Sequence, residues 1–235
     1  MKIWLLIWIF AAMTLCGCSD AATSSIPQDS TANVPAGDVL KLPDPRTKGQ
    51  VSLEEALANR RSNREFSSSP LKLEDVSQLL WSAQGITSAG GGRTAPSAGA
   101  LYPLEIYLVA GNVQSLSAGI YRYQPQGQAL VRIKDGDVRN ELARAAVGQA
   151  CVKQGAISLV IAGVYERTTA KYGDRGTEYV HLEAGHAAQD VCLQATALNL
   201  NVVTVGAFTD DHVKSTVGLS KNESPLYIIP IGRKP

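Results

Sequence analysis

The chain has 235 residues, 22 Lys and Arg against 21 Asp and Glu, and a formal net charge of +1. With no polybasic block, that balance argues against nucleic acid as a partner. Beyond Cys16 and Cys18 the only cysteines are Cys151 and Cys192, and one pair is no disulfide framework. Cys151 and Cys192 read as buried small apolar residues.

Lys2 places a positive charge ahead of an apolar run from Ile3 to Leu15. The run is the length of a signal-peptide core and shorter than the roughly 18 residues of a spanning helix. A short uncleaved anchor is the other reading. Leu15-Cys16-Gly17-Cys18-Ser19 follows and resembles a bacterial lipobox. Gly17 is the small residue before the cut, so residues 1–17 form the leader and Cys18 carries the lipid. A metal or redox Cys-x-Cys pair is the alternative. Acyl chains contribute on the order of 0.8 kcal/mol per buried methylene and would anchor the protein firmly. The expected location is therefore exported and membrane-anchored. Ser19, in place of the aspartate that resembles a retention signal, points to the periplasmic side of the outer membrane. Residues 18–49, rich in Ser, Thr, Ala, Pro, Asp and Gly, read as a flexible tether.

Residues 50–235 suit one domain burying roughly 70% of its unfolded surface. Ser52-Leu53-Glu54-Glu55 has the form of a capping box and opens a helix through Asn59. Leu73, Val76, Leu79, Leu80 and Ala83 recur at helical spacing, giving a second helix to about Gly85. A Gly-, Ser- and Ala-rich loop spans Ser88 to Gly99. Strands are predicted over Leu104–Ala110, Ile120–Tyr123 and Ala129–Ile133, and a helix from Val138 to Gly148. Ile157–Val164 is an almost continuous apolar run, a strand buried on both faces. Val202–Val205 and Leu226–Ile231 are further strands. Tyr179–Leu200 predicts the longest helix. Its Ala184-Gly185-His186-Ala187-Ala188 segment implies close approach by another helix or a ligand, or tight packing within one subunit. Helices and strands without strict alternation make the class α+β.

Four segments carry candidate chemistry. Arg60-Arg61-Ser62-Asn63-Arg64 offers three planar guanidiniums and a hydroxyl, a donor set for a phosphate monoester or a solvated helix end. Arg93 to Pro103 packs small residues between two prolines, so backbone can approach a flat ligand closely. Gly206-Ala207-Phe208 ends a strand with little side-chain bulk. Gly232-Arg233-Lys234 ends the last strand in two cations. No Ser-His-Asp set, zinc spacing, Walker motif or dinucleotide fingerprint is present.

Arg60 to Phe66 resembles the opening motif of the nitroreductase superfamily. Leu80-Trp81-Ser82-Ala83-Gln84-Gly85-Ile86-Thr87, the run Arg93–Pro103, Lys171-Tyr172-Gly173-Asp174-Arg175-Gly176, Leu182-Glu183-Ala184-Gly185-His186-Ala187-Ala188-Gln189 and Pro225–Gly232 resemble its SagB-type, azoline-dehydrogenase-like branch. The resemblance implies a central mixed, mainly antiparallel sheet flanked by helices, in an intertwined homodimer with FMN at the interface. It implies FMN phosphate and ribityl binding by Arg60, Arg61, Ser62 and Arg64, completed by Arg233. Pro96, Ser97, Ala98 and Gly99 would line the flavin from the other subunit, and Gly206 and Ala207 would present backbone to the ring. Lys171 and Tyr172 match a catalytic Lys-Tyr pair, although an exposed lysine beside a packing tyrosine reads the same way. His186 is open between core, interface and catalysis. Three activities follow: dehydrogenation of a peptide azoline or related cyclic imine, reduction of nitro or quinone compounds with NAD(P)H or another donor, or flavin binding without turnover.

Overall fold

Among the described residues, seven strands build one sheet in the order β1-β4-β3-β2-β5-β7-β6. The computed structural model describes residues 37–235, so the leader and Cys18 lie outside the described residues. The strands are β1 (Val39–Lys41), β2 (Leu104–Ala110), β3 (Gly119–Gln124), β4 (Ala129–Asp135), β5 (Ile157–Gly163), β6 (Leu200–Val202) and β7 (Ser224–Arg233). Every neighbouring pair is antiparallel. The expected parallel component shrinks to isolated bridges such as Ser62–Val202.

The helices are α1 (Leu53–Asn59), α2 (Leu73–Gln84), α3 (Arg139–Ala145), α4 (Ala150–Gln154), α5 (Glu166–Tyr172), α6 (Arg175–Ala197) and α7 (Asp210–Val217). Ser52 caps α1 by accepting the Glu55 amide at 3.1 Å, which satisfies a backbone donor the helix cannot. Alternation along the central strands separates two cores. Ile106, Leu108, Leu159 and Ile161 pack with α2 and α6, whereas Tyr107, Val109, Val160 and Ala162 pack with α3, α4 and α7. Every residue of β5 is buried, as its apolar run predicts. Cys192 belongs to the first core and Cys151 to the second, and both are free thiols.

The structure corrects several expectations. Val39–Lys41 pairs with Ala129–Val131, and Leu42 is buried, so the domain begins inside the stretch read as tether. Helices α4, α5 and α7 were not anticipated. The first has five residues, and the others carry too few apolar positions to show a period. The strand expected over Val202–Val205 stops at Val202. Its next partner would be Pro230, which has no N–H to return a bond. An added Cβ on Gly185 would meet nothing within 4 Å. Packing within the subunit therefore does not explain that glycine.

Candidate active site

The predicted residues gather into two groups. The first lies along the β6–β7 edge. Beyond α1 the chain runs extended beside the sheet: the Asn63 amide donates to Val202 O at 2.9 Å, and the Ser67 amide to Arg233 O at 3.0 Å. Asn201 Nδ2 donates to Glu65 O at 2.8 Å. Phe66 occupies the space a side chain on Gly232 would fill. These contacts bring Arg60, Arg61, Ser62, Arg64 and Arg233 to one edge. Arg61 turns back to donate to Ala58 O and Arg60 O at 2.9 and 2.8 Å, satisfying carbonyls at the helix end. Arg233 pairs with Asp75 at 2.8 Å, so part of its fork is already occupied. Among the described residues, no carboxylate comes within 4.0 Å of Arg60, Arg61 or Arg64. Burial pushes the Cys192 thiol up to about 11 while Arg60 pulls it down; Arg64 opposes burial in the same sense at Cys151.

Gly206 and Ala207 follow the Val205–Ile228 bridge and are exposed. Gln149 Nε2 donates to Ala207 O at 3.0 Å, and the Thr209 amide to Ala145 O at 2.9 Å. A side chain on Gly206 would meet nothing within 4 Å. Its neighbours pin the loop while its backbone stays open to an incoming group.

The second group centres on Gly99, at φ 63°. A Cβ there would lie 2.7 Å from Tyr172 Oη and 3.1 Å from Lys171 Nζ. Both the backbone angle and the neighbours therefore require glycine. The fold thus brings the Pro96–Gly99 loop to Lys171 and Tyr172, at the end of α5. Tyr172 meets Tyr179 edge-on, with 5.1 Å between ring centroids. Ser97 Oγ accepts the Tyr102 amide at 2.9 Å, and Arg167 Nη1 donates to Tyr102 O at 3.1 Å.

Three residues to which the sequence assigns no role of their own make polar contacts at the start of α5 and on α6. Tyr165 Oη and His181 Nε2 are 2.6 Å apart. Glu183 of α6 is 2% exposed. Burial pushes its carboxyl up to about 7, against the opposing pull of Ser97, Arg93 and Gln84. Gln84 Nε2 donates to Glu183 Oε1 at 3.5 Å, and Arg93 Nη1 donates to Gln84 Oε1 at 2.8 Å. The Arg93 guanidinium stacks 4.2 Å from the Tyr102 ring centroid. An acidic residue inside a buried Ala-Gly stripe was the available signal for Glu183. His186 is exposed and acts on Asp190, whose carboxyl burial raises to about 6. Asp190 lines a cavity of about 730 Å³ between Arg46–Leu53, α2 and α6, which no predicted site residue lines.

The two groups are separated within one chain. Glu183 adjoins the second and Cys192 the first, nine residues apart on α6, or about 14 Å along its axis.

The profile described as "Nitroreductase family" matches residues 57–233. A candidate nitroreductase of Methanocaldococcus jannaschii is 46% identical over 198 residues, 84% of this chain and 98% of that protein. The Escherichia coli microcin B17-processing protein McbC is 29% identical over 67% of this chain and 61% of its own length. The E. coli McbBCD microcin synthetase complex, solved with truncated pro-MccB17 bound, matches with TM-score 0.65 and 25% identity over 92% of this chain and 85% of that one. A candidate nitroreductase of Anabaena variabilis superimposes with TM-score 0.78 at 28% identity, covering 92% of this chain and 45% of that one.

Proposed function

The chain belongs to the nitroreductase family, and from that premise we propose an FMN-dependent dehydrogenase acting on a peptide azoline or related cyclic imine. The observation that carries it is Lys171 Nζ and Tyr172 Oη converging on Gly99. A base and a hydroxyl beside a side-chain-free stretch of backbone suit removal of a proton from carbon at a flat cofactor. Similarity to a microcin-processing protein supports a peptide substrate.

The donor set fits FMN. Arg60, Arg61 and Arg64 lack carboxylate partners among the described residues, and Ser62 adds a hydroxyl, which suits a phosphate dianion. Arg233 offers the N–H groups that Asp75 leaves free. Open backbone at Gly206 and the Pro96–Gly99 loop suit the ring. Bound FMN would accept hydride. Lys171 is placed to take the proton from the substrate carbon, and Tyr172 to hold the lysine or relay the proton. The substrate loses two hydrogens and gains a ring double bond.

The separated groups support a homodimer in which each flavin draws on the basic edge of one subunit and the Gly99–Lys171–Tyr172 group of the other. Leu182 on α6, and Leu53 and Leu57 on the adjoining α1, are more than half exposed, as an interface requires. A second reading, reduction of nitro or quinone compounds, is favoured by the 46%-identical candidate nitroreductase.

Reconstitution with FMN is expected to give a yellow protein with about one flavin per subunit. On a synthetic thiazoline peptide with wild-type protein, the azole product is expected. Lys171→Ala keeps its flavin and loses about 100-fold or more of the rate. Flavin-free protein after reconstitution would overturn this reading. Unchanged turnover removes Lys171 from it, and NADPH bleaching without thiazoline oxidation selects the reductase.

A further inference from the structure

Glu183 is nearly excluded from solvent, yet its surroundings do not serve the core. The polar groups that act on it are Ser97 and Arg93 of the 93–102 loop and Gln84, which holds Arg93. Gln84, at the end of α2, gives an amide hydrogen to Glu183 and accepts one from Arg93. Carboxylate and guanidinium favour the same orientation of that amide, with Nε2 toward Glu183 and Oε1 toward Arg93. Arg93 then stacks on Tyr102, whose amide returns to Ser97 Oγ. One arm thus runs from Glu183 through Gln84 and Arg93 to Tyr102 and back to Ser97, and Gly99 lies between those last two in sequence. The other charges near Arg93 are Glu105 of β2 and Arg167 of α5, which pair with each other at 2.6 Å.

We propose that Glu183 is a positioning residue: from α6 it holds the 93–102 loop through the Gln84–Arg93 pair, keeping Gly99 against Lys171 and Tyr172. The link to catalysis rests on the flavin reading above. The link to the loop does not. Loss of the carboxylate removes the contact that holds Gln84 Nε2 and the negative charge that acts on Arg93, so a loop built mostly of small residues loses a tie to α6. A glutamine at the same place still accepts from Gln84 through its Oε1.

The test uses the full-length protein. Hydrogen exchange in the flavin-free form reads the 93–102 peptide, where Thr94 is held by Gly85 O and Tyr102 by Ser97. Flavin fluorescence quenching reads the FMN Kd. Glu183→Ala is expected to lower protection in that peptide about tenfold or more, leave the β2 amides unchanged, and raise the FMN Kd by about tenfold. Glu183→Gln is expected within about threefold of wild type on both. Unchanged exchange in Glu183→Ala overturns the proposal, and so does a Gln variant as loose as the Ala variant. Should Glu183→Ala not fold, Gln84→Met cuts that arm at α2 and carries the same expectation for the peptide. Wild-type protein that does not take up FMN sinks the flavin reading, while the exchange result still decides the loop.

Discussion

Among the described residues, two glutamates are buried, one on each face of the sheet, and they are held very differently. Glu223 belongs to the face covered by α3, α4 and α7. The Tyr107 hydroxyl donates to both its oxygens, at 2.9 and 3.1 Å, and the Ser220 amide donates to Oε2 at 2.6 Å. Burial, and then the Glu223 charge, drive the Tyr107 hydroxyl well above its ordinary pKa, so the tyrosine stays a donor. That carboxylate closes a turn before β7 onto the sheet. Glu183, on the face covered by α2 and α6, has a 3.5 Å contact from Gln84 and a serine hydroxyl for company. A carboxylate with filled acceptor positions stabilises a fold. One left short of donors costs stability, and its position beside Gly99, Lys171 and Tyr172 is what that cost secures.

The largest test of this contrast uses pH. Burial lifts the Glu183 carboxyl from 4.5 to about 7. A raised folded-state value means its contribution to stability is fully present below about 4.5 and lost as pH rises through about 7. The span corresponds to on the order of 3 kcal/mol. Glutamine does not titrate. Urea unfolding of wild type and Glu183→Gln should therefore diverge by that order between about pH 4.5 and 8.5, with the variant gaining on wild type. A constant difference across that range would break the contrast, since Glu183 would then be as well accommodated as Glu223.

The opposite face yields the next effect. Tyr107→Phe removes the hydroxyl that serves both Glu223 oxygens and leaves a buried carboxylate short of a donor. The expected loss is about 1–3 kcal/mol in urea unfolding at neutral pH, with no change in FMN Kd. A shift in flavin affinity would show that the two faces are not separate in role.

How much of this was legible in the sequence follows the same division. Period and turn chemistry placed α1, α2, α6 and the central strands, because those segments are long and one-sided. Helices α4, α5 and α7 lacked enough apolar positions to show a stripe, and Val39–Lys41 hid among Pro, Asp and Lys. The basic loop and the Lys171–Tyr172 pair stood out as motifs. Their partners did not. Gly99 meets Lys171 because α5 lies beside the 93–102 loop, Tyr165 meets His181 because the start of α5 packs on α6, and Glu183 meets Gln84 because α2 packs on α6, and spacing along the chain carries no trace of that.

Gly185 extends the comparison to the outer side of α6 and gives the smallest effect. The helix buries Ala184, Ala187, Ala188 and Val191, whereas Gly185 faces open space in the single chain. Alanine there should favour the helix by up to about 1 kcal/mol. If a second copy lies against that face, the same methyl group obstructs it. Gly185→Ala is therefore expected to raise stability of the isolated chain slightly while weakening self-association in sedimentation equilibrium. Stabilisation with unchanged association would mean that the partner docks elsewhere. The separation of the basic edge from Lys171 would then have to be bridged by a ligand lying along a single subunit.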